Sequence, residues 1–204
     1  MLIRPAVVGA CFLPAGLGLL HQVGQPLPLP QRLLALALLL MLFEQAHMAR
    51  VDLRQVAGAR QQGYDPRLRR FTHILWATIA GEWVGFYLTA AGYLGLGAVV
   101  IVSSLLGFNL TSQVRFEANT LKPVGIRDRL DVIVIDLLAL GLGLLWMLDL
   151  ARLWVASILF GLTLIYGVAK LAAYVTVWLP RAFPSAIHIA NSAQQHPQPS
   201  QQNR

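Results

Sequence analysis

Long apolar runs alternate along the chain with short polar stretches that carry most of the arginines. A helix needs about 20 apolar residues to cross the hydrocarbon core of a bilayer. Pro5 to about Val23 is the first such run, weakened by Pro14, Gly16 and Gly18. Gly24 to Pro30 reads as a proline-rich turn. Leu33–Ala49 reads as a second span with a short apolar core, Leu33–Phe43. From Ile74 to Leu110 the only charge is Glu82. As one helix this stretch would be about 55 Å long against a hydrocarbon core of roughly 30 Å, so it must fold back. Gly92, Gly95 and Gly97 mark the place, giving spans at about 71–91 and 94–111. Leu130 to Leu179 is too long in the same way, and Asp149-Leu150-Ala151-Arg152 divides it into spans at about 130–148 and 153–179. Trp146 and Trp154 flank that break, where an interfacial aromatic belt would put them. The pattern predicts an all-α integral membrane protein, about six transmembrane helices in a compact bundle forming one domain over 1–183. The polar Gln/Pro/Ser-rich tail over 184–204 is expected to be disordered.

Composition sharpens this picture. Of 204 residues, 56% are hydrophobic and 12% charged, against about 25% charged in soluble domains. The formal net charge of +7 would raise nucleic acid as a partner in a soluble chain. No aromatic–basic platform accompanies it, and the charges sit between apolar runs, so lipid is the expected environment and nucleic acid is not an expected partner. With the N-terminus in the cytoplasm, thirteen of the 16 basic residues fall inside and only Arg32 and Arg152 outside, Lys170 lying within a span. That distribution follows the positive-inside rule and puts both termini in the cytoplasm. A five-span alternative, with the first segment not crossing, moves only the N-terminus. The single cysteine, Cys11, supports neither an internal disulfide nor a zinc cluster. A removable signal peptide is not expected, because proline-rich sequence and a second apolar run follow the first.

Ionisable groups inside a span are candidates for function. There are four here, Glu44, Glu82, Asp136 and Lys170. Glu82 shares its helix with Ala77, Gly81 and Gly85, a small-residue ridge that permits close helix packing. In a tight hairpin it lies level with about residue 105, so Ser103 and Ser104 are the expected hydrogen-bond partners. Asp136 and Lys170 fall on the two arms of the last hairpin, where Lys170 can reach Asp131 or Asp136. Glu44 and His47 form an E-x-x-H with no second copy, and His47 and His73 fall at similar depth on adjacent spans. Two facing histidines can ligate a haem iron, which makes haem an alternative to the main expectation of no cofactor and no metal. The loop Asp52–Arg70 contains a possible short helix, Val51–Gln61, then a turn at Gly63-Tyr64-Asp65-Pro66. Its Arg54, Arg60, Arg67, Arg69 and Arg70 are placed to meet anionic lipid or an acidic partner.

No metalloprotease motif, phosphate loop or nucleophile elbow is present. Three functions are compatible with these residues. The leading one is a non-enzymatic accessory or assembly subunit of a membrane complex, partnered by lipid and other membrane proteins. The alternatives are a small transporter or permease subunit using Glu82 and an Asp136/Lys170 pair, and a membrane redox protein using Glu44, His47 and His73.

Overall fold

The first apolar run forms two helices because Pro14 cannot donate to the carbonyl of Ala10 and its ring crowds that turn. In the computed structural model, α1 (Pro5–Cys11) and α2 (Leu13–Gly24) meet at Phe12, with Pro14 in the first turn of α2. The structure describes residues 5–62, 65–117 and 120–182. The tail from Pro184 and the turn residues Gly63 and Tyr64 lie outside the described residues. The kink drives Phe12 into the bundle, where it is 1% exposed and meets Trp83 and Phe86 edge-on at 6.0 and 5.9 Å.

After a proline-rich turn comes α3 (Leu29–Gln62), 34 residues without interruption. The expected short helix at Val51–Gln61 is the second half of this one element, and the expected boundary near Ala49 is absent. The reason is local. No glycine or proline separates Gln31 from Ala57, and one apolar stripe (Leu38, Leu42, Ala46, Ala49, Leu53, Val56, Ala59) runs past the supposed boundary. Its spacing of three and four residues keeps that stripe on one face. At 1.5 Å per residue, α3 is about 51 Å long.

Helix α4 (Pro66–Ala90) starts at Asp65, whose side chain accepts the Arg67 backbone N–H at 2.8 Å, with Pro66 as the first helical residue. Ser, Thr, Asn and Asp at this cap position and proline immediately after it are favoured starts. Its partly polar residues Thr72, Thr78, Glu82 and Thr89 are all buried. Thr72, Thr78 and Thr89 donate back to carbonyls within the helix.

The chain then turns at Gly92, whose φ of +98° suits a residue without Cβ, and enters α5 (Leu94–Thr111). Of the three glycines expected to mark this turn, only Gly92 does. Gly97 lies in α5 against Gly85 and Thr89 of α4, and Gly95 lies against Trp146. A Cβ on Gly97 would stand 2.5 Å from the Gly85 carbonyl oxygen, so the two backbones touch, as small-residue ridges permit.

A two-stranded antiparallel hairpin, absent from the sequence expectation, follows: β1 (Val114–Glu117) and β2 (Thr120–Pro123), with Val114 opposite Pro123. Phe116 anchors it against Phe71 of α4 at 5.3 Å, and Phe71 also meets Phe108 of α5 at 5.7 Å. A 3-10 turn (Ile126–Arg129) leads into α6 (Leu130–Met147), which buries Ile133, Asp136, Gly143 and Trp146 and exposes Ile135, Leu137 and Leu138. Trp146 is 6% exposed with the Arg152 guanidinium 5.3 Å above its ring. It therefore packs inside, while Trp154, 72% exposed, has the outward placement expected of both. The turn to α7 (Arg152–Ala182) uses positive φ at Asp149 and Ala151 and is tied by an Asp149–Arg152 ion pair of 2.6 Å.

The chain divides into two compact units, 1–164 and 165–204. The first holds the core, built around α4. Within the second, the described part is the helical continuation of α7, where Lys170 lies 5.3 Å from the centroid of the Tyr166 ring.

Among the described residues, five helices are long and apolar enough to cross a membrane, spanning Val7–Gly24, Leu29–Gln61, Leu94–Thr111, Ile126–Met147 and Arg152–Ala172. Helix α4 is not among them, its apolar stretch being interrupted by the buried Thr and Glu residues.

Candidate functional site: a buried acid–arginine network

Arg129 closes the 3-10 turn just before α6, and that position aims its side chain back at the end of α5 and the start of β1. Its guanidinium donates to Ser112 Oγ at 2.5 Å, to Asn109 Oδ1 at 3.3 Å and to the Val114 carbonyl at 2.9 Å. The Phe108 ring lies beneath it, 5.6 Å from centroid to guanidinium carbon. Asn109 passes the connection on, donating to Asp136 Oδ2 at 2.8 Å. Asp52, half-buried on α3, lies within electrostatic range of Arg129. Asp52 is in turn within electrostatic range of Glu82. Arg129 therefore ties α5 to the hairpin and reaches the Asp136 carboxylate of α6 through the Asn109 amide. Pairing of this kind lowers the cost of holding charge away from water.

Glu82 is the deepest member. It is 3% exposed and accepts no hydrogen bond among the described residues. The expected serine partners lie elsewhere. Ser103 is exposed. Ser104 faces Gly81, close enough to block a Cβ there, and its hydroxyl donates to the Val100 carbonyl at 2.9 Å. Of the small-residue ridge, Gly81 and Gly85 pack against α5, whereas Ala77 is exposed.

Asp136 has Asn109 as its hydrogen-bond partner, and Lys170 lies over Tyr166 in the second unit. Glu44 and His47 are half-buried one helical turn apart on α3, while His73 is exposed on α4. Among the described residues, no three of His, Cys, Asp and Glu gather as a metal-binding group. Arg54, Arg60, Arg67, Arg69 and Arg70 are all exposed.

No family model, curated protein or solved structure matches the chain. The site must accordingly be read from its own geometry. Asp52, Asn109 and Arg129 are the members that sequence reasoning missed. By hydropathy Arg129 falls between spans and Asp52 falls on the short helix Val51–Gln61 outside them, so neither stands out as a group at membrane depth. The signal for Arg129 lay in its place at the mouth of a span, immediately before Leu130. The signal for Asp52 was the unbroken periodicity of α3, which makes its helix continuous with the preceding span rather than a separate short one.

Proposed function

We propose that the chain is a non-enzymatic accessory subunit of a larger membrane complex, crossing the bilayer six times with both termini in the cytoplasm. The sixth crossing is α4. It joins α3 to α5, and Thr72, Thr78, Glu82 and Thr89 are buried in the bundle, out of reach of lipid. The observation that carries the accessory reading is the length of α3. At about 51 Å it outlasts a hydrocarbon core of roughly 30 Å, leaving about 20 Å to stand clear of the membrane. That projecting half keeps a buried stripe (Leu53, Val56, Ala59), and Leu68 at the facing start of α4 is buried as well. The result is a firm helical hairpin with Arg54 and Arg60 on its outer surface, suited to docking an acidic protein surface.

The experiment is to tag the C-terminus, extract the chain from its own membrane in mild detergent and identify what co-purifies. The reading expects a membrane protein in fixed stoichiometry, released by Arg54→Glu/Arg60→Glu. Recovery of the chain alone contradicts it.

One observation favours a second reading, a small transporter subunit. Glu82 is buried, accepts no hydrogen bond among the described residues, and lies within electrostatic range of Asp52, toward the membrane surface. This reading expects Glu82→Gln to abolish ion or proton flux in reconstituted vesicles while leaving the fold intact. Unchanged flux removes it.

A further inference from the structure

Between the first turns of α4 and the outgoing strand of the hairpin lies a cleft of about 520 Å³. Its floor is one face of α4. Arg67 and Arg70 stand three residues apart there, followed by Phe71 and Ile74, each four residues beyond an arginine. Residues three and four apart share a helix face, so this face changes along its axis from two guanidiniums to an apolar surface. The opposite wall includes Gln113 and Ile126. Gln113 Oε1 accepts from Arg70 Nη1 at 3.3 Å and steadies that side chain. No lining residue carries a negative charge.

The cleft also has a defined level. Thr111 ends one candidate span and Ile126 begins the next, and both line it. Its charged end therefore lies where phospholipid headgroups lie, and its apolar end faces the acyl region. Guanidinium groups bind phosphate through paired, charge-assisted hydrogen bonds. The volume is enough for a phosphate, its glycerol and the top of a chain. We propose that this cleft binds one anionic phospholipid, with the phosphodiester between Arg67 and Arg70 and an acyl chain along Ile74 and Ile126. The site depends on the membrane placement of the chain and not on its having a protein partner.

The test uses the isolated full chain in nanodiscs of phosphatidylcholine containing a minor fraction of phosphatidylglycerol, with native mass spectrometry reading the lipid retained. The expected result is one phosphatidylglycerol per chain in preference to phosphatidylcholine. Arg70→Gln should weaken retention at least about tenfold, the loss of one charge-assisted contact, and Arg67→Gln/Arg70→Gln should abolish the preference. Arg69→Gln removes the same charge one residue away from the lining and should retain the lipid. Thermal melts of each variant identify any that has lost its fold. Arg67→Lys/Arg70→Lys then serves in place of a misfolded variant, and should keep the preference for an anionic lipid with weaker retention. Equal retention of both lipids by the native chain overturns the proposal. So does an equal loss in Arg69→Gln and Arg70→Gln, which is the signature of diffuse surface charge. Displacement of the lipid by millimolar inorganic phosphate alone makes free phosphate the ligand and overturns the lipid assignment.

Discussion

Adding a single methyl group to Gly97 should loosen the centre of the bundle, while the same change at Gly141 should not. A Cβ on Gly97 would lie 2.5 Å from the Gly85 carbonyl oxygen and 2.8 Å from the Thr89 backbone nitrogen, and would also meet the Thr89 methyl. Two of these obstacles are backbone, so no change of rotamer relieves them. Helix α5 would have to retreat from α4 by most of an ångström, losing contact along the whole interface. Overpacking of this kind costs about 1–3 kcal/mol, and removing a glycine from a helix interior offsets about 0.5–1 kcal/mol of it. With two backbone obstacles the upper part of that cost applies, about 2–3 kcal/mol, so Gly97→Ala should destabilise by about 1–2.5 kcal/mol, a fall in Tm of roughly 2–10 °C for a chain of this size. Gly141, with nothing within 4 Å of its added Cβ, should show only the propensity gain and melt at the same temperature or slightly higher. The assay is thermal unfolding of both variants in one detergent, followed by tryptophan fluorescence. A Gly97→Ala protein as stable as the native chain would refute the backbone contact between α4 and α5.

Other parts of the structure give further expectations. Phe12→Ala should cost about 3–5 kcal/mol, because the ring is 1% exposed and edge-on to Trp83 and Phe86; the same melts measure it, and a loss below 1 kcal/mol would deny the kinked α1–α2 its place in the core. Arg129→Met should cost about 2–4 kcal/mol by removing donors to Ser112, Asn109 and Val114, with faster hydrogen exchange confined to about residues 112–136; uniform exchange along the chain would contradict its role as a local tie. Glu82→Gln should leave stability within about 1 kcal/mol of native, because the carboxyl accepts no hydrogen bond among the described residues that the amide would lose. Co-purification of a partner should be unchanged in that variant, and loss of the partner would count against the accessory reading.

Much of the helical pattern was legible because apolar length is a direct measure of what lipid can solvate. Spans read at 94–111 and 130–148 coincide with α5 and α6 nearly residue for residue. Two features differ from the sequence expectation for a common reason, that charge was taken to end an apolar element. Arg54 and Arg60 lie on a helix whose other face continues the buried stripe, so α3 did not stop where its hydropathy fell. Arg129 was counted among positive-inside charges although it is half-buried and bonds three partners. The hairpin escaped notice because its strands are four residues each and its anchor is one side chain, Phe116. The serine partners assigned to Glu82 rested on depth alone. Depth was matched correctly enough to bring Ser104 to Gly81, but the direction of each side chain around the helix was not available from spacing within one hairpin.

The central claim is that α4 crosses the membrane, making six spans from five strongly apolar helices and one that is polar on its inner face. Cysteine accessibility on either side of α4 tests it most directly. Cys11 is the only cysteine, so Gln61→Cys and Tyr93→Cys can be made singly in a Cys11→Ala background, both positions being exposed. A membrane-impermeant maleimide applied to intact cells should label Tyr93→Cys, and should label Gln61→Cys only after permeabilisation. Labelling of both from the same side would show that α4 does not cross and would overturn the six-span arrangement.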